Sequence, residues 1–100
     1  KQFKKQLIVN KDISDQITSG DQSIFGVMIE SNLEEGNQKI DSLKNLKYGQ
    51  SVTDACVNWK DTEVMLKLLA KACAAIAHVL RRQGMDFGFL LADLSQQITR

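Results

Sequence analysis

The sequence predicts an α/β fold that is mostly helical and contains one strand. Apolar side chains recur at helical spacing in residues 2–18 and again in residues 61–83, which predicts two amphipathic helices. Between them, residues 24–29 form an apolar run with polar residues on both sides. Such a run is typical of a parallel strand that helices cover on both faces.

Length and composition limit what the chain can be. Its 100 residues amount to one compact domain at most, and its 43% hydrophobic and 25% charged content is ordinary for a globular protein. Because 13 Lys and Arg stand against 12 Asp and Glu, we expect neither nucleic acid nor a membrane as a partner. Cys56 and Cys73 lack CxxC spacing, so a reduced, cytoplasmic setting is expected.

The first predicted helix spans residues 2–18. Gly20 suits the left-handed position that closes a helix. Residues 7–9 are apolar and have high β-propensity, so a strand-like conformation is the alternative for the middle of this helix. Only three apolar residues stand together there, which predicts neither a signal peptide nor a membrane anchor. The apolar positions at or near helical spacing are Phe3, Leu7, Ile13 and Ile17.

The predicted strand at 24–29 is followed directly by Glu30. A carboxylate at this position would be held at the open end of a sheet, where α/β proteins usually bind ligands. A lone strand leaves backbone donors and acceptors unpaired on both edges. We therefore expect the strand to pair with strands outside this chain or with a second copy of it.

A long, mostly irregular loop is predicted from 31 to 58, and it carries the second candidate carboxylate. Thr53 and Asp54 form an oxygen-bearing pair, and two carboxylates such as Glu30 and Asp54 could meet at a divalent metal. The alternative is that Glu30 caps a backbone group and Asp54 starts a turn. Spacing alone favours this alternative, because isolated motifs are weak signals.

The loop also contains enough apolar side chains to pack against a core. We expect it to be ordered in a full enzyme and mobile in a fragment. Tyr48 and Trp59 are interpreted as anchors of the loop, with ligand stacking as the alternative. The other apolar side chains of the loop are Leu33, Ile40, Leu43, Leu46 and Val52.

The C-terminal part predicts two further helices. Asp61 is the expected N-cap of the helix at 61–83, which ends near Gly84. A final amphipathic helix at 86–99 would pack on it as a helical hairpin. His78 is interpreted as an ordinary surface or core histidine, and a metal-ligand role is the alternative.

Three motifs carry a resemblance to a known family: GVMIES, EGNQ and LKYGQSVTDAC. From Lys1 to about Ala72 the sequence closely resembles the C-terminal segment of class I 3-deoxy-D-arabino-heptulosonate 7-phosphate (DAHP) synthases. The resemblance implies a fragment of a (β/α)8 barrel, a fold that needs about 250 residues. We therefore divide the chain into a barrel segment at 1–73 and a helical tail of unknown origin at 74–100.

The resemblance also implies a chemistry. Enzymes of this family condense phosphoenolpyruvate with erythrose 4-phosphate in aromatic amino-acid biosynthesis. Glu30 and Asp54 match two of the four protein ligands of their catalytic divalent metal, of the Mn, Fe, Co or Zn class. The other two ligands and the phosphate-binding residues lie upstream in the family. We assign no catalytic residue to this chain, leave Cys56 out of the ligand set, and expect weak metal binding or none.

Two hypotheses about function follow. In the first, the chain is a segment of a metal-dependent synthase and is inactive by itself. In the second, it is a non-catalytic helical oligomerisation or interaction module, in which the helices at 61–83 and 86–99 form the interface. In both we expect a homo-oligomer, because the apolar faces of the helices and the strand cannot all be buried in a monomer of 100 residues.

Overall fold

The computed structural model of the protein describes residues 2–84, in which two α-helices flank a long connection. A 3-10 turn at Gln2–Lys4 leads into α1 (Lys5–Thr18), and α2 spans Trp59–Arg82. The connection contains a short 3-10 turn at Leu43–Asn45. The described part of the chain is therefore mostly helical, as predicted, but it contains no β-strand.

The first helix confirms the prediction at 2–18, and the strand-like interpretation of residues 7–9 is wrong because they lie inside α1. The helix ends where the Ser19 amide donates to the Asp15 carbonyl at 2.9 Å. The Gly20 amide then donates to the Ile17 carbonyl at 3.0 Å. Gly20 has φ of +106°, which side chains of L residues rarely adopt, so glycine closes this helix as expected.

The second helix begins two residues earlier than predicted, and Asn58 is its N-cap. The Asn58 side-chain oxygen accepts a hydrogen bond from the Asp61 amide at 2.8 Å. The prediction that Asp61 caps the helix is wrong, because the cap requires extended backbone, and Asn58 has it, with φ −76° and ψ 173°. Asp61 lies in the first turn, where its charge suits the helix dipole. The end near Gly84 is confirmed, since α2 stops at Arg82.

The core lies between α1 and α2. Ile17 of α1 packs with Leu69 and Ala72 of α2 in a buried cluster. Asn10 is also buried, and its side-chain nitrogen donates to the Met65 carbonyl at 3.3 Å, which satisfies a polar group at the helix interface. These contacts fix α1 on α2. Partly buried residues around the cluster are Ile13, Ile24, Ile29 and Ile76.

The strand predicted at 24–29 does not form. A strand is defined by its hydrogen-bonded neighbour, and residues 2–84 supply none for this segment. Its two ends, Ile24 and Ile29, contact the helical core. Its middle is exposed: Phe25 is 101% and Met28 86% accessible. The apolar pattern was real, but a pattern of this kind cannot create the partner that a sheet requires.

The connection at 31–58 is irregular, as predicted, and polar groups rather than apolar ones order it. Isolated bridges join Ser31 to Val57, Gly36 to Cys56 and Asn37 to Ser51. The expectation that the apolar side chains pack down is wrong for most of them. Tyr48 is 89% exposed, so the prediction that it anchors the loop on the core is wrong. Trp59, the first residue of α2, is half exposed. The exposed aliphatic residues are Leu33, Ile40, Leu43 and Val52.

The helix predicted at 86–99 and its hairpin on α2 lie outside the described residues. In the part of the chain that the structure describes, neither helix is long and apolar enough to cross a membrane.

Candidate metal centre

The backbone of Glu30 is held from α1 by the side chain of Gln6. The Gln6 side-chain nitrogen donates to the Glu30 carbonyl at 3.1 Å, and the Gln6 side-chain oxygen accepts from the Glu30 amide at 2.9 Å. A primary amide has one acceptor oxygen and two N–H donors, so it can match both polar groups of one residue. Gln6 lies in the first turns of α1, one turn before Asn10 and on the side of the helix that carries the buried Asn10 and Ile17.

A second contact joins Glu30 to the end of the long connection. The Val57 amide donates to the Glu30 carbonyl at 3.0 Å, and the Asn32 amide donates to the Val57 carbonyl at 3.0 Å. These two hydrogen bonds form a parallel bridge centred on Ser31 and Val57. Val57 is completely buried, so the bridge lies on a fixed part of the molecule. The Ser31 hydroxyl also hydrogen-bonds the Thr62 hydroxyl of α2 at 2.5 Å.

Asp54 lies on the segment that leads into this bridge. Two residues after Asp54, Cys56 exchanges two backbone hydrogen bonds with Gly36, at 2.8 and 3.1 Å. One residue before Asp54, the carbonyl of Thr53 accepts a hydrogen bond from the Asn37 side-chain nitrogen at 2.9 Å. The Cys56 thiol donates to the Asp54 carbonyl at 3.4 Å. The backbone around Asp54 is therefore tied to the EGNQ motif, which contains Gly36 and Asn37.

The structure brings the segments that carry Glu30 and Asp54 together. Asp54 precedes Val57 by three residues, which span at most about 11 Å of chain, and Val57 bonds directly to Glu30. Both carboxylate residues are exposed, and within residues 2–84 neither side chain has a hydrogen-bond or ion-pair partner. The alternative in which Glu30 caps a backbone group is therefore not observed in this part of the chain.

Two carboxylates of this kind fit part of a divalent metal site. Their oxygens are the hard donors that ions such as Mg²⁺ and Mn²⁺ prefer. Within residues 2–84, however, no three His, Cys, Asp or Glu side chains lie close enough to hold a metal ion together. The chemistry of the two carboxylates is therefore compatible with part of such a site.

The histidine of the chain lies far from this part of the molecule. His78 is exposed near the end of α2, roughly 28 Å along the helix axis from Trp59 at its start. The start of α2 is the end that contacts the Glu30 segment, through the Ser31 and Thr62 hydroxyls. The alternative in which His78 completes the metal site is therefore wrong for the described chain.

Both cysteines are free thiols. Cys56 is buried beside Asp54 and donates its hydrogen to a carbonyl. Cys73 lies partly buried on α2, and burial raises the pKa of its thiol, which keeps it neutral at physiological pH.

The sequence-based reasoning missed the residues that hold the two carboxylate segments. Gln6 was not singled out, because a glutamine on an amphipathic helix has the appearance of a solvent-facing residue. The EGNQ motif was noticed only for its resemblance. Its Gln38 joins both sides of the loop: its side-chain nitrogen donates to the Lys47 and Gln50 carbonyls, and its oxygen accepts from the Lys47 amide.

Comparison with known proteins identifies a family model that matches residues 1–67, described as the DAHP synthetase I family. The Phe-sensitive phospho-2-dehydro-3-deoxyheptonate aldolase of Escherichia coli is 52% identical over 75 residues, which are 75% of this chain and 21% of that protein. The phenylalanine-inhibited enzyme of that name from Saccharomyces cerevisiae is 54% identical over 74 residues, 71% of this chain and 20% of its own.

A solved structure gives the same picture. The phospho-2-dehydro-3-deoxyheptonate aldolase of Francisella tularensis superposes with a TM-score of 0.64 at 55% identity, covering 69% of this chain and 20% of that one. The matched region contains both carboxylates and the three motifs. The chain spans about a fifth of the length of the relatives that it matches.

Proposed function

Since residues 1–67 match its family model, the chain belongs to the DAHP synthetase I family, and we propose that it is a segment of a metal-dependent synthase. The proposed enzyme condenses phosphoenolpyruvate with erythrose 4-phosphate in aromatic amino-acid biosynthesis. The observation that carries the proposal is the bridge between the two carboxylate segments, in which the Val57 amide bonds to the Glu30 carbonyl. It brings Glu30 close to the loop that presents Asp54.

In this proposal Glu30 and Asp54 each give carboxylate oxygen to one divalent ion of the Mn, Fe, Co or Zn class. Such an ion polarises the aldehyde of erythrose 4-phosphate or activates water. The chain's own residues hold the two carboxylates in place: Gln6 and Val57 position Glu30, and Asn37 and Cys56 position the backbone next to Asp54. The remaining ligands and the phosphate-binding groups are supplied by polypeptide outside the described residues.

The synthase segment is preferred to a non-catalytic helical module. The matched region includes both carboxylates and the motifs around them, and the helix at 86–99, on which the module depended, lies outside it. The isolated chain is proposed to be inactive and to bind a divalent ion feebly, because two ligands without the rest of the set do not fix the coordination geometry. A cytoplasmic location is part of the same proposal.

A hybrid protein tests this function. Residues 1–73 of this chain replace the matching segment of the Phe-sensitive relative from Escherichia coli, which is 52% identical in that region. The hybrid is expected to bind Mn²⁺ and to condense the two substrates. Glu30→Ala and Asp54→Ala should each remove bound metal and activity together while the circular dichroism spectrum stays unchanged.

The matched control is Glu34→Ala. Glu34 is an exposed carboxylate on the same loop, paired with Lys47 at 3.4 Å, so its loss removes a charge without removing a proposed ligand. The Glu34→Ala hybrid should keep its metal and its turnover. If either the Glu30 or the Asp54 variant keeps full metal content and normal turnover, that residue is not a ligand, and the proposal is wrong for it.

A further inference from the structure

Gln6 and Glu30 form a closed pair of hydrogen bonds between a side-chain amide and a backbone. The amide of Gln6 donates to the Glu30 carbonyl and accepts from the Glu30 N–H, at 3.1 and 2.9 Å. From this geometry we infer that Gln6 is a positioning residue for the metal ligand Glu30. The inference rests on the proposed function, in which the Glu30 carboxylate binds the metal.

The need for such a residue follows from the segment before Glu30. Residues 24–29 make no backbone hydrogen bonds within the described chain, so no ladder on that side fixes the direction of the Glu30 backbone. The Val57 amide holds only the carbonyl of Glu30. Gln6 supplies the remaining contact, the acceptor for the Glu30 N–H, and adds a second donor to the carbonyl. Together the two contacts restrain both translation and rotation of this peptide.

The residue type at position 6 is also specific. A primary amide offers a donor and a strong acceptor side by side: ionised glutamate lacks the donor, and methionine, of similar length, has no donor and only a weakly accepting sulfur. The platform is rigid, because α1 is fixed to α2 by the buried Asn10 hydrogen bond to Met65 and by the Ile17 cluster. Gln6 therefore fixes the backbone of Glu30, a proposed metal ligand, relative to the packed helices α1 and α2.

Loss of the Gln6 amide should weaken metal binding more than it weakens the fold. Groups that orient metal ligands typically change metal affinity by about 10 to 100-fold when mutated. The two hydrogen bonds of Gln6 are at the surface, so their contribution to stability is small. The two effects can therefore be separated in one variant.

The first test uses the 100-residue chain itself. Gln6→Met removes the acceptor for the Glu30 N–H and should raise its hydrogen-exchange rate, followed by nuclear magnetic resonance, by at least tenfold. Gln16→Met is the matched control, because Gln16 lies on the exposed side of α1 and donates to Asp12 at 2.7 Å, with no contact to Glu30. An unchanged exchange rate at Glu30 in the Gln6 variant overturns the inference.

The second test measures metal affinity in the hybrid protein. Electron paramagnetic resonance titration with Mn²⁺ should show about 10 to 100-fold weaker binding for Gln6→Met than for Gln16→Met, and saturating Mn²⁺ should restore turnover. The melting temperatures of the two metal-free variants should agree. Unchanged Mn²⁺ affinity, or a loss of affinity matched by a loss of metal-free stability, overturns the positioning role. Retained Mn²⁺ in the Glu30→Ala hybrid identifies a failure of the proposed function instead.

Discussion

At the scale of single residues, Gly49 shows how tightly the long connection is folded. It has φ of +80°, and a Cβ built on it would lie 2.8 Å from the Cβ of Leu33. That distance is shorter than van der Waals contact, and the backbone conformation is one that L side chains rarely adopt. The Glu34 amide donates to the Gly49 carbonyl at 2.8 Å, so the two sides of the loop are joined at this point.

Gly49→Ala should therefore destabilise the chain by about 1 kcal/mol or more, since alanine at positive φ is strained even without a clash. The measurement is the free energy of unfolding from urea titration. Gly26→Ala is the control, because a Cβ at Gly26 meets nothing within 4 Å. Equal stability of the Gly49 and Gly26 variants would show that this side of the loop is not packed as described.

At the scale of elements, the start of α2 depends on Asn58. Its side-chain oxygen accepts from the Asp61 amide, and the Thr62 amide and hydroxyl both donate to its carbonyl. Asn58→Ala should cost about 1 kcal/mol in the free energy of unfolding, as loss of an N-cap usually does. Asp61→Ala removes only a charge near the helix dipole and should cost less. A larger loss of unfolding free energy for Asp61→Ala than for Asn58→Ala would show that Asp61, and not Asn58, caps the helix.

The helices could be predicted from the sequence because helical periodicity is a local property. The helix at 61–83 needed nothing beyond its own spacing, and its errors were confined to the start, such as the cap at Asn58. The helix at 2–18 was predicted from its spacing too, but the apolar run at 7–9 left its middle open. The strand at 24–29 could not be predicted correctly, because a strand depends on a neighbour at a distance in the chain.

The candidate site was accessible to sequence reasoning only in part. Glu30 and Asp54 followed from resemblance, while their spacing alone favoured a structural role. The groups that position them were not predicted. Gln6 contacts Glu30 across 24 positions of sequence, and Asn37 contacts Thr53 across 16, so both contacts exist only once the loop has folded back on α1 and on itself.

At the scale of the whole molecule, the chain exposes a continuous apolar stretch. Phe25 and Met28 are almost fully accessible, and Val27 between them is 44% exposed. Soluble monomers rarely expose large contiguous apolar patches. We therefore predict that the chain forms a dimer or a higher oligomer, as its sequence led us to expect, and that the segment at 24–29 takes part in the contact.

Sedimentation velocity at micromolar concentration measures this. Phe25→Asp should shift the chain towards the monomer, whereas Tyr48→Asp, at an aromatic residue that is 89% exposed on the long loop, should leave its association unchanged. A compact monomer for the unmodified chain would contradict the prediction.

The isolated chain should show no condensation of phosphoenolpyruvate with erythrose 4-phosphate. Within residues 2–84 the segments that carry two carboxylates are joined, and no three His, Cys, Asp or Glu side chains form a group that could hold a metal ion. A coupled phosphate-release assay with added Mn²⁺ measures this, and calorimetric titration of the same sample should detect weak metal binding or none. Turnover that a chelator abolishes would show that 100 residues suffice for the reaction.

If this chain provides two ligands to one metal ion, as proposed, that ion must lie between Glu30 and Asp54. Anomalous diffraction from crystals of the Mn²⁺-loaded hybrid locates the metal independently of activity. We predict one strong anomalous peak, with an oxygen of Glu30 and an oxygen of Asp54 each at about 2.0 to 2.2 Å. A peak that lies in the metal site but is contacted by only one of these carboxylates, or by neither, would show that this chain does not provide both ligands.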